Sequence, residues 1–272
     1  MAARPDIGYE FYSAQYARFG SKLAAEVRLE AYGEDLGQQG WRSIGEQAKI
    51  VDLVSRLKSP HVLDVACGSG GPALAIASKT GCSLTGVDIE ASGIATANSL
   101  KTSLGIGDRV NFQVADCSQP LPFEAQQFDF ISCIDAVLHF KNRSVVFADW
   151  FRLLKPGGHL LLTDAAVLTG PILKSEMDIR ASQGEFVCVP HGYNEKILKD
   201  VGFQLLETVD TTGDAANIAK MLYAARGKRA AALQGEEGES WFASRQNFLE
   251  MTRRLSADHR LSRFLHVLQR PI

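Results

Sequence analysis

Long apolar runs are missing from this sequence: none reaches the roughly 18 residues of a membrane span, so no membrane partner is expected. Charge of one sign is missing too, since 29 Lys and Arg against 31 Asp and Glu leave a net charge of −2. A global basic field for nucleic acid is therefore excluded, and no basic face interleaved with aromatics replaces it. Cysteine is sparse, an odd 5 residues with no C-x-x-C pair, which argues against a zinc knuckle, a redox dithiol or a disulfide framework. Reduced thiols and a cytoplasmic home are expected. The first dozen residues carry Arg4, Pro5, Asp6 and Glu10 and lack the apolar core of a secretion signal. No histidine pairs with Cys or carboxylates at ligand spacing, so no metal is expected.

What remains is the composition of an ordinary globular protein, 46% hydrophobic and 22% charged, long enough for one large domain or two small ones. From about residue 60 to 166, short apolar runs alternate with amphipathic stretches. Strands are predicted at His61–Ala66, Ser83–Asp88, Val110–Ala115, Phe128–Ile134 and His159–Thr163, and helices at Ala73–Lys79, Glu90–Leu104 and Ser144–Leu154. Lys155-Pro156-Gly157-Gly158 reads as the stop and glycine cap of the third helix. Such alternation implies an α/β fold around a largely parallel sheet. Before it, Glu10–Ala31 and Ile44–Leu57 are helix-compatible. After it come a short helix at Asn194–Val201, a strand at Phe203–Val209, helices at about Asp214–Leu233 and Trp241–Leu255, and a last strand at Leu261–Gln269. The Gly235–Glu239 stretch and the cationic Arg226-Gly227-Lys228-Arg229 cluster read as solvated surface.

The chemistry concentrates in Val62-Leu63-Asp64-Val65-Ala66-Cys67-Gly68-Ser69-Gly70-Gly71-Pro72, where a strand runs through a glycine-rich turn into a helix. Backbone N–H groups at such a helix start can face a ligand closely, and Gly68 and Gly70 remove the side chains that would obstruct it. Asp88 closes the second strand, where a carboxylate can accept both hydroxyls of a ribose. Gly68–Ala73 also satisfies G-x-G-x-x-A, so a nicotinamide dinucleotide is one candidate ligand. Three features point elsewhere. Asp64 near the turn would repel a pyrophosphate and welcome an ammonium. Asp116 ends the third strand, suited to an adenine amino group. The two widely separated final strands do not form a second mononucleotide half.

Taken together, Asp64-x-x-x-Gly68-x-Gly70, Gly86-Val87-Asp88-Ile89, Ala115-Asp116-Cys117, Phe128-Asp129 and Leu154-Lys155-Pro156-Gly157-Gly158 resemble, in order and spacing, the motifs of class I S-adenosylmethionine-dependent methyltransferases. The likeness covers about residues 45–210 and departs at Ala66, where that family most often has glycine. It implies a Rossmann-like seven-stranded, mostly parallel sheet with an antiparallel last strand, and S-adenosyl-L-methionine as cofactor. It further implies that Asp64, Ala66, Gly68 and Gly70 hold the methionine half. Asp88 would bind the ribose, Ile89 would pack on the adenine, and Asp116 and Cys117 would meet its edge, with Gln15, Tyr16 and Ile134 also on the cofactor.

Gln15-Tyr16, Tyr32-Gly33-Glu34-Asp35 and Gly40-Trp41 are similar to the N-terminal lid of small-molecule enzymes in this class, such as phosphoethanolamine methyltransferases and natural-product sugar O-methyltransferases. Asp135-Ala136-Val137-Leu138-His139 is similar to the D-A-I-L-H stretch of the former, in which the histidine pairs with a lid tyrosine. The corresponding pair here is His139 and Tyr16. After Thr163 the likeness fades, with no cluster of Tyr, Arg and Lys to grip a phosphate.

The resemblance implies a helical lid at 1–58 and a methyltransferase domain at 59–272, with cap segments at about 168–193 and 212–258. His139, whose residue type titrates near neutrality, is the expected base for an O- or N-acceptor, with Tyr16 closing the site and Asp135 meeting the acceptor. The partner is a small-molecule metabolite rather than nucleic acid or membrane. A homodimer is compatible with this reading, as are an S-adenosylmethionine-binding protein without transfer activity and, more remotely, a nicotinamide-dependent oxidoreductase.

Overall fold

The computed structural model describes residues 12–16 and 18–272. Eight strands form one sheet: β1 (His61–Val65), β2 (Ser83–Asp88), β3 (Val110–Val114), β4 (Phe128–Cys133), β5 (Leu154–Leu168), β6 (Val189–Pro190), β7 (Gln204–Asp210) and β8 (Leu261–Gln269). Their order is β3-β2-β1-β4-β5-β8-β7, with the two-residue β6 beside the far end of β5. All pairings are parallel except those of β8, which runs antiparallel to both neighbours. The chain order reverses between β1 and β4, and in open α/β sheets ligands bind beyond the carboxyl ends of the strands at that crevice.

Among the described residues the longer α-helices are α1 (Lys22–Tyr32), α2 (Ile44–Ser55), α3 (Gly71–Thr80), α4 (Ala91–Ser103), α5 (Arg143–Leu153), α6 (Lys174–Arg180), α7 (Tyr193–Val201), α8 (Thr212–Gly227), α9 (Ala230–Glu237) and α10 (Glu239–Ala257). Residues 12–16 are helical as well. Strand alternation sends successive side chains to opposite faces. Leu63, Val65, Ile131, Leu160 and Leu162 enter one core with Phe147 and Trp150 of α5. Val62, Phe130 and Leu161 enter the other with Ile76 of α3 and Ile50 of α2. Burial on both faces is why these strands read as continuous apolar runs. A third cluster joins Val27 and Ala31 of α1, Ile218 and Leu222 of α8, Phe248 and Leu249 of α10, and Trp41. The N-terminal helix and the segment between β7 and β8 thus share one core.

Four local expectations are corrected. The Glu10–Ala31 stretch, whose residues 10, 11 and 17 lie outside the described residues, is broken: Ser21 caps a new helix by accepting the Ala24 N–H. Lys155–Gly158 is not a helix cap, because α5 ends on extended Leu154 and the four residues bulge within β5. There the ammonium of Lys155 lies 2.8 Å from Asp129. β5 also continues past Thr163, since Asp164, which reads as a terminator, is buried against Arg143 at 2.6 Å and Asn194 at 2.8 Å. The residues 235–237 are helical rather than loop. Glu237 of α9 pairs with Arg226, and Glu30 of α1 takes both Lys228, which stays largely exposed, and Arg229, so the cluster ties the end of α8 to α9 and α1.

Candidate active site

The turn after β1 stands under backbone strain that its composition relieves. Gly68 and Gly70 have φ of +56° and +75°, and Ala66 adopts +57° without glycine's freedom. Pro72 then starts α3, where a missing N–H costs nothing. The turn is pinned from β2: Asp88 accepts the Gly68 N–H at 2.8 Å and the Glu90 N–H at 2.9 Å. Burial raises the Asp88 carboxyl above its ordinary value despite these two bonds. Asp64 is 2% exposed, raised by burial, and accepts the Ser132 hydroxyl at 2.6 Å.

Around the turn the polar atoms are incompletely used. Glu90 caps α4 through Oε1, which accepts from Ser92, while its buried Oε2 has no partner among the described residues. Ile89 is 55% exposed beside it. Asp116 is exposed and its Oδ1 accepts both the N–H and the hydroxyl of Ser118. Cys117 is buried, and burial pushes its thiol up to about 12. Ile134 packs against the core on the same side as Cys67, directly before Asp135.

The N-terminal segment lies on this turn. A β-carbon on Gly68 would sit 2.7 Å from the Tyr16 hydroxyl, and one on Gly71 would sit 1.6 Å from the Leu36 carbonyl oxygen. Gln15, on the same helical turn, presents a buried Oε1 without a partner. It lines a cleft of about 80 Å³ together with Tyr32, Gln38, Trp241 and Arg245.

His139 ends a short 3₁₀ turn, Val137–His139, at the carboxyl edge after β4. Its Nδ1 lies 3.1 Å from the Glu185 carbonyl oxygen, which can only accept, so Nδ1 carries the proton. In the neutral ring Nε2 is then the acceptor, and it faces the Tyr12 hydroxyl at 3.2 Å. Burial raises the Tyr12 phenol to about 12, which keeps it a donor. This corrects the expected pairing. The tyrosine on His139 is Tyr12, one helical turn before Tyr16; the two rings stack at 6.4 Å, and Tyr16 reaches the glycine turn instead.

Asp135 is also placed differently from the expectation of an acceptor contact. Its carboxylate takes Arg263 at 2.7 Å, the Trp41 N–H at 2.6 Å and the Thr163 hydroxyl at 3.0 Å. Burial alone would raise it, but the Arg263 charge and these hydrogen bonds hold it below the usual carboxylate range. Arg263 in turn pairs with Glu46 of α2. Asp135 therefore couples the 40–46 segment to β8 and the floor of the site. The sequence reading missed Tyr12, Glu90 and this coupling. An acid two residues after Asp88, at the start of the next helix, is the one local signal that marks Glu90.

Fold and turn together place a glycine-rich turn at the crevice where open α/β sheets bind ligands, and comparison with known proteins says which kind of domain carries it. Residues 63–162 match a methyltransferase-domain family. An O-methyltransferase, resE, of Aspergillus sclerotiorum is 29% identical over 83% of this chain and 85% of its own length. Phosphoethanolamine N-methyltransferase 1 of Arabidopsis thaliana is 29% identical over 67% of this chain, which spans only 37% of that longer protein. The Haemonchus contortus phosphoethanolamine N-methyltransferase 2 structure, with phosphomonomethylethanolamine and S-adenosylhomocysteine, superposes with a TM-score of 0.78 at 21% identity. It covers 94% of this chain and 59% of that one. The matched stretch, residues 63–162, contains the G-x-G-x-x-A turn, so that turn lies within a methyltransferase domain, and the chain is similar to methyltransferases over most of its length. The residues present fit S-adenosylmethionine: Gly68 and Gly70 add no side chain of their own to the turn, and Glu90 Oε2 is a buried acceptor that a ribose hydroxyl would satisfy.

Proposed function

We propose that this protein transfers a methyl group from S-adenosylmethionine to a hydroxyl or amine of a small-molecule metabolite, in secondary metabolism, within the reducing cytoplasm. The observation that carries the acceptor half is the Tyr12–His139–Glu185 relay, which lies under the same helical turn, 12–16, that covers the glycine turn. The sulfonium supplies an activated methyl group and needs no further electrophilic help. What the chain must add is alignment in a dry pocket, an effect that contributes several kcal/mol, and a destination for the acceptor proton. His139 Nε2 is that destination. Its Nδ1–H bond to Glu185 fixes the tautomer, and the proton reaches Nε2 through Tyr12, whose hydroxyl passes its own proton to Nε2 as it takes the acceptor's, leaving an imidazolium able to donate at both nitrogens.

On this reading Asp64, Ala66, Gly68 and Gly70 hold the methionine half. Asp88 and Glu90 take the ribose, Ile89 covers the adenine, and Asp116, Cys117 and Ile134 frame its edge. Gln15 and Tyr16 close over it. Residues 1–58 act as the lid, and the segments at about 168–193 and 212–258 cap the acceptor. Five free thiols support the cytoplasmic assignment. The test is titration calorimetry with S-adenosylhomocysteine alongside labelled methyl transfer into a metabolite extract. Micromolar binding together with transfer into a small molecule supports the reading, and binding with no acceptor ever labelled contradicts it.

A further inference from the structure

Two arginines lie beyond His139 on the two inserted segments. Arg180 ends α6 and is 2% exposed, and its Nε and Nη1 are buried with no hydrogen-bond partner among the described residues. Its guanidinium carbon lies 4.6 Å from the centroid of Phe186 and 4.9 Å from that of Phe248, two rings whose own centroids are 6.5 Å apart, so both rings lie on one side of it. Arg245 of α10 lies 5.1 Å from the same Phe248 ring and donates to Gln183 at 2.6 Å. Two cations thus share one aromatic ring. Phe186, whose centroid is 5.3 Å from that of His139, touches both Arg180 and the relay.

A buried charge is tolerated when paired, and the carboxylates nearest Arg180 are already committed: Asp135 to Arg263 and Asp164 to Arg143. Ring contacts stabilise the charge but supply no oxygen acceptor, and Nε and Nη1 find none among the described residues. The guanidinium edge is a planar fork whose natural complement is a carboxylate or phosphate. Burial lowers the Arg180 pKa to about 10, so it remains a cation at neutral pH.

We propose that Arg180, flanked by Arg245, binds an oxyanion of the methyl acceptor, a carboxylate or phosphomonoester set one aromatic ring away from the atom facing His139. This rests on the proposed function only in placing the acceptor at His139. The proposal explains why a cap otherwise rich in apolar side chains carries two buried cations on different insertions.

The test is calorimetry on protein loaded with S-adenosylhomocysteine, titrated separately with inorganic phosphate and with acetate. Wild-type protein should take up at least one of them saturably, one per chain, in the millimolar range expected of so small a ligand; the preferred arm tells phosphate from carboxylate. Arg180→Met should weaken that binding at least tenfold and Arg180→Lys less, because the lysine keeps the charge and loses the fork. Neither substitution should change S-adenosylhomocysteine affinity. Equal anion binding in wild type and Arg180→Lys or Arg180→Met, or none in wild type at tens of millimolar, overturns the proposal. Failure of the wild type to bind S-adenosylhomocysteine, by contrast, would strike the cofactor assignment and is read in a separate titration.

Discussion

The Tyr12 hydroxyl lies 3.2 Å from His139 Nε2, and the Tyr16 hydroxyl on the next turn of the same helix lies over Gly68. Spacing of four residues puts both rings on one helical face, so a single turn touches the acceptor relay and the cofactor turn at once. On the proposed function, covering the cofactor and organising the base would fall to one helical turn.

The two tyrosines should separate kinetically. Tyr12→Phe removes the hydroxyl that passes the acceptor's proton to His139 and should lower kcat at least about tenfold with little change in S-adenosylhomocysteine affinity, the lost hydrogen bond alone being worth about 1–1.5 kcal/mol. Tyr16→Ala should do the reverse and weaken cofactor binding more than it lowers kcat. Steady-state kinetics with calorimetry on both variants reads the contrast, and identical profiles would remove the division of labour.

Glu90 offers a second test. Its Oε2 is buried and has no partner among the described residues. Leaving a buried acceptor unserved costs about 1–3 kcal/mol, which a ribose hydroxyl would recover on binding. Glu90→Gln should weaken S-adenosylhomocysteine binding about tenfold, and Glu90→Ala at least as much. Unchanged affinity in both would return the ribose to Asp88 alone.

The Asp135–Arg263 pair predicts stability and its pH dependence. Removing one partner of a buried ion pair strands the other, and Arg263→Met should destabilise the fold by about 3–5 kcal/mol in denaturant titration. Asp135 has a folded-state pKa below the unfolded value. The native state therefore stays ionised where the unfolded chain takes up a proton. Its stabilisation is full above the unfolded pKa of about 4 and is lost as pH falls through the depressed native value. Asp135→Asn should be less stable at pH 7 and should lack this part of the acid-side loss.

Gly71→Ala tests whether the 34–41 loop seats on the cofactor turn. The added methyl would fall 1.6 Å from the Leu36 carbonyl oxygen, backbone that no rotamer change can move. A large fall in melting temperature, or a folded protein with weakened cofactor binding, is expected. Gly107→Ala, with open space around it, serves as the neutral control.

The sheet and the cofactor turn were legible in the sequence because local signals carry them: two-sided strands read as apolar runs, and Gly68, Gly70 and Asp88 recur at fixed spacing. Misreadings arose where a distant partner overrides a local cue. Asp164 reads as a strand end until Arg143 neutralises it, and Glu237 reads as solvated until Arg226 meets it. Tyr12 and Tyr16 are indistinguishable by composition, and only the docking of their helix assigns one to His139. Arg180 and Arg245 form no cluster in the chain, since they are brought together only across Phe248.

His139 bears the central claim most directly. Transfer of a labelled methyl group from S-adenosylmethionine to a small-molecule acceptor should be compared in wild type and His139→Ala, with S-adenosylhomocysteine affinity measured on both. Loss of a general base predicts a fall in turnover of roughly 10²–10⁴-fold with affinity unchanged. Turnover at the wild-type rate in His139→Ala would contradict the account.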